Sequence, residues 1–518
     1  MTNVGKTALI ITALTLGSKI VAFMRQIALA HFYGTSCVID AYVMAMAIPG
    51  IVFGWITSLE IAYTPMYLDA RMKFGEDRAV GFTNHILSIG STISIVCALI
   101  GVVFSSQLVR IVAPGFAGDV YMLTSRFLSI YMVSIAVNVF VQILVAYLNC
   151  NHQFIVPGFA VFAVNGMQVV FALMSSKFGK DLLIYGALLA NVVQLLILYL
   201  FSGRNGYRFR YALKVTPEIK QALTMWIPLL ISGMVGQLNG FVQTVFASGL
   251  IEGSVSALSY ALSIRIFIHG VFSATVTTIM YPMLSESVAE NDMDAFREIV
   301  SKAVNVIIIL FIPITVGVLL LSEPVMFLVY GRGAFSAEST AMTSVALRMY
   351  SLGLFATCLT DVFTKVLHAM KDTRTTLYLN AFTVAACITA SAILVKLVQH
   401  AGLALAGSLA EIMALPLFLV LLKRRIGDFG MKNSFRILVT SCTCSGVMGT
   451  LVYSTYRYFS FVLGLGKPYM LLSLVIASAA GGLAYFALMT VMKVKEMDFF
   501  AGILRGMYRK VSGLIKVS

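Results

Sequence analysis

The sequence predicts an all-α polytopic membrane protein with about 14 transmembrane helices, two parallel six-helix lobes plus two C-terminal helices. Three observations predict it. First, 59% of the 518 residues are hydrophobic and 11% are charged, whereas ordinary soluble domains carry about 25% charged residues. That leaves too little polar surface for a soluble multidomain enzyme, and it excludes a disordered chain. Second, apolar runs of about 20 residues, the length that crosses a hydrocarbon core, recur from end to end. Third, basic residues collect in alternate segments between those runs.

The runs fall at 7–29, 40–63, 82–104, 124–149, 157–176, 184–201, 225–248, 258–285, 303–321, 341–366, 376–395, 403–422, 437–456 and 470–492. The first lacks a small-residue cleavage site and contains Lys19 and Arg25, so it reads as an uncleaved helix rather than a signal peptide. With the N-terminus inside, 24 Lys and Arg residues fall in inner segments and 7 in outer ones. Cytoplasmic loops carry such an excess, so both termini are expected in the cytoplasm of a multi-pass bacterial cytoplasmic membrane protein. The net charge of +15 would suggest nucleic acid in a soluble protein. Here it fits loops beside anionic lipid, and no nucleic-acid partner is expected.

The seven cysteines give neither a disulfide framework nor a metal-ligand spacing. Cys442 and Cys444 read as small apolar helix residues. No nucleotide-binding loop is present, which argues against ATP as a direct driver. In the last segment Phe500, Ile503, Leu504, Met507, Val511 and Leu514 recur at helical spacing among Arg505, Arg509, Lys510 and Lys516. That pattern predicts a basic amphipathic helix on the inner leaflet.

An internal repeat organises the spans. Tyr63-Thr64-Pro65-Met66 and Met280-Tyr281-Pro282-Met283 place their prolines 217 residues apart. Arg126-Phe127-Leu128-Ser129 and Arg348-Met349-Tyr350-Ser351 are 222 apart, and each follows an outer loop of similar build. Short polar inner turns, Asn149 to Gln153 and Lys371 to Thr375, follow in both. The expected organisation is an N-lobe at 1–201, a cytoplasmic linker at 202–221, a C-lobe at 222–422, helices 13 and 14 at 423–492, and the basic tail at 493–518. Parallel repeats in secondary transporters place substrate between them.

Ionisable groups inside spans cost at least about 2.5–3.5 kcal/mol and mark functional sites by default. Lys19 and Arg25 lie about 120° apart around their helix, close enough for long side chains to converge on one cavity. No acid lies on their own helix. Arg265 is the corresponding cation of span eight. Cations from both lobes around a central cavity suit a phosphate or pyrophosphate group. Opposed to them are Glu60, Asp361 and Glu411, candidates for ion coupling or gating. Asp361 and Lys365, at i,i+4, suit mutual neutralisation, and His269 suits a packed neutral histidine. Arg126 and Arg348 start their spans and suit the outer interface. Pro49-Gly50 is expected to break span two, with Gly54 keeping it pliable, a plausible gate element. No catalytic residue and no metal ligand set is expected.

Several of these residues also carry a resemblance. Ser18-Lys19-x5-Arg25, the Asp40-Ala41 start of span two, Ala113-Pro114-Gly115-Phe116, Tyr330-Gly331-Arg332-Gly333-Ala334-Phe335 and His400-Ala401-Gly402-Leu403-Ala404-Leu405 resemble the MurJ (MviN) lipid II flippases. Those belong to the multidrug/oligosaccharidyl-lipid/polysaccharide (MOP) exporter superfamily. The resemblance implies two six-helix lobes with two extra helices lining a lipid-accessible groove. It also implies alternating-access movement of an undecaprenyl-pyrophosphate-linked peptidoglycan precursor from the inner to the outer leaflet. Arg25 matches the family's first-helix arginine, and Lys19 stands where another arginine is usual. Gln26 replaces an acid, the basic pair usual near Gly54 is absent, and Ser263 occupies the position of a helix-eight arginine that is displaced here to Arg265. The implied partners are the lipid-linked precursor and membrane lipid, for a monomeric transporter that is not an enzyme and needs no cofactor beyond a monovalent cation or the membrane potential. Two other transport readings remain open: a flippase for another lipid-linked oligosaccharide, and a cation-coupled multidrug exporter with an acidic cavity. A membrane enzyme acting on polyprenyl phosphates is disfavoured, because Asp292 and Asp294 have no partnering acid or histidine.

Overall fold

In a bilayer every backbone N–H and C=O must find its partner inside the protein, so an apolar chain of this kind resolves into helices. The structure is a computed structural model describing residues 3–213, 237–238, 240–464, 466–494 and 496–497, without the side chains of 3–9, 52–53, 55, 57–62 and 271–279. Among the described residues there is no strand. The first eight helices are α1 (Asn3–Tyr33), α2 (Cys37–Phe74), α3 (Glu76–Val103), α4 (Ser105–Val112), α5 (Gly118–Tyr131), α6 (Ser134–Cys150), α7 (Ile155–Phe178) and α8 (Leu182–Arg204). After a helical stretch at 240–248 come α9 (Ser254–Ala289), α10 (Met293–Tyr330), α11 (Ala337–Ser351), α12 (Leu354–Ala369), α13 (Thr373–Ile426), α14 (Met431–Leu463) and α15 (Lys467–Val491).

Among the described residues, eight helices are long and apolar enough to cross a membrane, or ten with each bent pair taken as one span. α13 is two helices joined at Val398 and Gln399, whose φ/ψ are −134°/22° and 51°/−131°. The two halves carry the eleventh and twelfth apolar runs. Residues 225–236 and 239 of the seventh run, residues 214–221 of the expected linker and the amphipathic tail beyond residue 497 lie outside the described residues.

The repeat reappears in the backbone. Helix starts recur at Cys37 and Ser254, Glu76 and Met293, Gly118 and Ala337, Ser134 and Leu354, and Ile155 and Thr373, offsets of 217, 217, 219, 220 and 218. α5 and α6 bend by 43° at their junction, and α11 and α12 by 45°. At both bends a serine hydroxyl turns back on the helix: Ser134 Oγ donates to the Tyr131 carbonyl at 2.6 Å and Ser351 Oγ to the Arg348 carbonyl at 2.7 Å. Such bonds compete with the helical ladder and bend it. The short turns after both pairs share a left-handed residue, His152 at φ 59° and Lys371 at φ 60°. The matched arginines, 222 apart, therefore sit two or three residues out of the register that the helices set.

Three expectations change. α2 runs through Pro49-Gly50 without interruption, so the break expected there is absent. Its proline Pro65 and the Pro282 of α9 lie inside continuous helices as well. The outer connection before Ala113 contains a short helix, α4, rather than loop alone. The start of the linker is also a pinned strap. Asn84 Nδ2 donates to the Arg208 carbonyl at 3.1 Å, and the Ala212 N–H donates to Ser88 Oγ at 2.9 Å. Tyr207 is buried against Asn84 Oδ1 at 2.9 Å. Serine and asparagine on one face of α3 thus satisfy an extended backbone that has no strand partner.

The chain divides into two compact units. The first comprises 1–263, 330–342 and 391–403; the second comprises 264–329, 343–390 and 404–518. Within the second unit, the α14–α15 pair is tied to α10 by buried polar contacts. Tyr485 OH donates to the Ile309 carbonyl at 2.9 Å and lies 2.7 Å from Ser441 Oγ, while Ser434 Oγ donates to Asn305 Oδ1 at 2.6 Å.

Candidate functional site

The first unit contains Arg25. Three polar residues of α7 at helical spacing, Asn165, Gln168 and Ser175, hold α1. Asn165 Nδ2 donates to Ser18 Oγ at 3.0 Å, Arg25 Nη1 donates to Gln168 Oε1, and Tyr33 OH donates to Ser175 Oγ at 2.9 Å. Gln168 is 8% exposed, so the guanidinium is oriented by a buried neutral amide. Arg25 Nε is buried without a hydrogen-bond partner, and no carboxylate pairs with the group among the described residues. A half-buried guanidinium keeps its full charge and five donors in a fixed fork. Lys19 is exposed, and among the described residues it has no hydrogen bond or ion pair. The structure therefore gives Lys19 and Arg25 no shared partner. The α7 residues were missed in the sequence; their signal was three hydrogen-bonding side chains on one face of an apolar helix.

Beyond Arg25, still within the first unit, the two repeats meet at a joint. Asp40, 3% exposed, accepts the N–H of Gly253 on Oδ2 and the N–H of Ser256 on Oδ1, both at 2.7 Å. Those are first-turn donors of α9 that no helical carbonyl can satisfy. In return, Glu252 Oε1 accepts the N–H of Cys37, which opens α2, at 2.8 Å. Each repeat thus caps a helix of the other with a carboxylate, the charge best suited to a helix N-terminus. Tyr260 OH donates to the Gly34 carbonyl at 3.1 Å, and the Ala334 N–H donates to the His31 carbonyl at 2.8 Å.

The two outer loops supply the glycines this joint needs. Gly333 has φ +62°, and a Cβ there would lie 2.2 Å from the His31 carbonyl oxygen. At Gly115 a Cβ would lie 2.3 Å from the Ser248 carbonyl oxygen. Both positions are closed to a side chain, the first also by its left-handed backbone. Around them Tyr260, Tyr330 and Phe335 pack with ring centroids 5.1–5.8 Å apart, and Phe23, two residues before Arg25, lies 6.2 Å from Tyr330.

The second unit contains the other charges. Arg265 Nη2 donates to Thr357 Oγ1 at 2.6 Å, and its guanidinium lies 5.6 Å from the Tyr350 ring centroid. Glu411 Oε2 accepts from Thr360 Oγ1 at 3.0 Å and lies within electrostatic reach of Arg265, Asp361 and His269. Asp361 sits 2.8 Å from His269 Nε2. This corrects two expectations. His269 is the neighbour of a carboxylate rather than a simply packed ring, and Asp361 lies beside that histidine. Lys365 instead lies 5.8 Å over the Tyr281 ring. His269 follows Arg265 by one turn, so α9 presents cation and imidazole together to α12. Arg126 and Arg348 have acidic neighbours, Asp181 at 2.6 Å and Glu323 at 3.6 Å. The side chain of Glu60 lies outside the described residues. No group of three or more His, Cys, Asp or Glu that could hold a metal occurs among the described residues.

Comparison with known proteins decides the family. A family model described as "Lipid II flippase MurJ" matches residues 29–472. The chain belongs to the MurJ lipid II flippase family. A relative in Rhizobium tropici, described as "Probable lipid II flippase MurJ", is 27% identical over 465 residues, covering 86% of each chain. One in Rickettsia prowazekii with the same description is 25% identical over 511 residues, covering 95% of this chain and 98% of its own. The solved structure of a lipid II flippase MurJ in an inward closed conformation shares the fold, with a TM-score of 0.81 and 22% identity, covering 93% of this chain and 98% of that one. An inward-facing MATE transporter of the MOP superfamily shares it more loosely, with a TM-score of 0.68 and 13% identity over 82% of this chain. The MOP fold and a multi-pass membrane location follow for this family member.

Proposed function

We propose that the protein is a lipid II flippase, a transporter that carries the undecaprenyl-pyrophosphate-linked peptidoglycan precursor from the inner to the outer leaflet by alternating access. Membership of the family supports the activity. One observation supports the site: Arg25 is a half-buried cation in a spanning helix with a neutral partner and, among the described residues, no carboxylate. An anionic head group can supply what the protein withholds. In this reading Gln168 positions the guanidinium, Arg25 binds pyrophosphate as a fork, and exposed Lys19 adds a mobile charge. Arg265 forms the second cationic contact, released to substrate as Glu411 and the Asp361–His269 pair change protonation or bind a cation. The joint is the gate that separates for outward release. Membrane potential biases the cycle by about 2.3 kcal/mol per charge per 100 mV. We also place both termini in the cytoplasm and take the working unit to be a monomer.

The test is rescue of cells depleted of their flippase. Arg25→Ala is expected to insert normally and fail to rescue. Full rescue overturns the assigned role.

A further inference from the structure

A second cationic site lies far along the chain from Arg25, at one end of the α14–α15 pair. A cavity of about 270 Å³ is lined by Asn433, Arg436, Thr440, Lys493 and Glu496 around Ile437. Arg436 and Lys493 are exposed and have no ion-pair partner among the described residues. Glu496 Oε1 accepts Asn305 Nδ2 at 2.7 Å and Asn433 Nδ2 at 3.4 Å.

Helix physics does not account for Arg436. The first turn of α14 contains no acid, and Lys432 and Arg436 stand near an N-terminus that already carries positive partial charge. Lys493, at φ 54°, ends α15 just past its Met492 C-cap, where a left-handed residue and a cation suit a helix stop. Residues 498–518 contain Arg505, Arg509, Lys510 and Lys516 against the single acid Asp498. The neighbouring side chains Phe435, Val439 and Val491 are 66%, 50% and 74% exposed. Apolar surface beside unpaired cations is the composition of a helix end at the lipid interface.

We infer that this cavity binds the phosphodiester head group of an anionic phospholipid in the leaflet that meets this end of α14 and α15. Arg436 and Lys493 neutralise the phosphate, while Thr440 and Asn433 donate hydrogen bonds to its oxygens. The charge bias of the sequence makes that leaflet the cytoplasmic one.

Native mass spectrometry of the purified full-length protein tests this with phosphatidylglycerol, phosphatidylcholine and inorganic phosphate as probes. Phosphatidylglycerol is expected to bind more tightly than phosphatidylcholine and to resist displacement by millimolar phosphate. In Arg436→Gln/Lys493→Gln its dissociation constant should rise about ten-fold or more, while Lys467→Gln, at the other end of α15, leaves it unchanged. The charge-keeping Arg436→Lys and the single Lys493→Gln serve if the double variant fails to fold, the first retaining binding and the second losing part of it. Equal affinity for the two lipids, displacement by inorganic phosphate, or unchanged affinity in the glutamine variants overturns the assignment.

Discussion

Arg25 and Arg265 stand in the two compact units, and their surroundings differ in kind. Arg25 is held by an amide and retains an unused donor. Arg265 is bonded to a threonine, lies over a tyrosine ring and is within reach of a carboxylate that also senses an aspartate–histidine pair. The helix starts repeat at near-constant offset, yet the charges have not been copied. One copy provides a cation with no carboxylate partner among the described residues. The other provides a cation bonded to a hydroxyl, over an aromatic ring and within electrostatic reach of a carboxylate. Duplication fixes the backbone; the division of labour comes from the side chains added to it.

The largest expected effect removes the first of these cations. Arg25→Ala should slow lipid II translocation in reconstituted vesicles by about 10- to 150-fold, the value of one charged hydrogen-bonding group at 1.5–3 kcal/mol. A wild-type rate would erase the proposed contrast. Next comes the joint between the copies. Asp40→Asn keeps the shape but replaces one acceptor by a donor facing an N–H, at a cost of about 1–3 kcal/mol. In a chain retaining Cys37 as its single cysteine, maleimide labelling of Cys37 should accelerate; unchanged labelling would mean the joint does not gate access.

A double-mutant cycle on Arg265→Gln and Glu411→Gln sharpens the contrast. Coupling of about 0.5–3 kcal/mol in thermal stability is expected for neighbours, against none for Arg25→Gln with Glu411→Gln. The smallest effect lies at the turn before α13. Burial pushes the Asp372 carboxyl up, but its hydrogen bonds from Thr375 and the Arg425 and Arg374 charges outweigh that and hold it below its ordinary value. Its stabilisation is therefore present above the unfolded carboxyl pKa of about 3.9 and is lost as pH falls through the lower folded value. Asp372→Asn should lower the unfolding temperature at neutral pH by a degree or two, through less than about 1 kcal/mol, with the gap closing in acid. A gap independent of pH would assign the loss to packing.

Much of this was legible in the sequence. Apolar run length and the Pro65–Pro282 spacing anticipated the helices and the repeat, because bilayer thickness and backbone satisfaction leave few alternatives. Lys19, Arg25 and Arg265 stood out as charges without acids on their own spans. What stayed hidden depends on pairing across the chain. Nothing local ties Arg25 to Gln168, 143 residues away, or Asp361 to His269, when Lys365 stood at the nearer helical spacing. Asp40 looked like an ordinary helix start until its carboxylate met α9. The glycines of the two outer loops were visible as a motif, but their reason, backbone passing where a Cβ would collide, exists only in three dimensions.

The exchange of helix caps at the joint bears on biogenesis. Cys37 waits for Glu252, made 215 residues later, and Asp40 holds its place for donors of a helix not yet synthesised when the first repeat enters the bilayer. The first repeat is therefore inserted with one helix end incomplete, and translation of the second repeat finishes it. Each half is left unsaturated on its own.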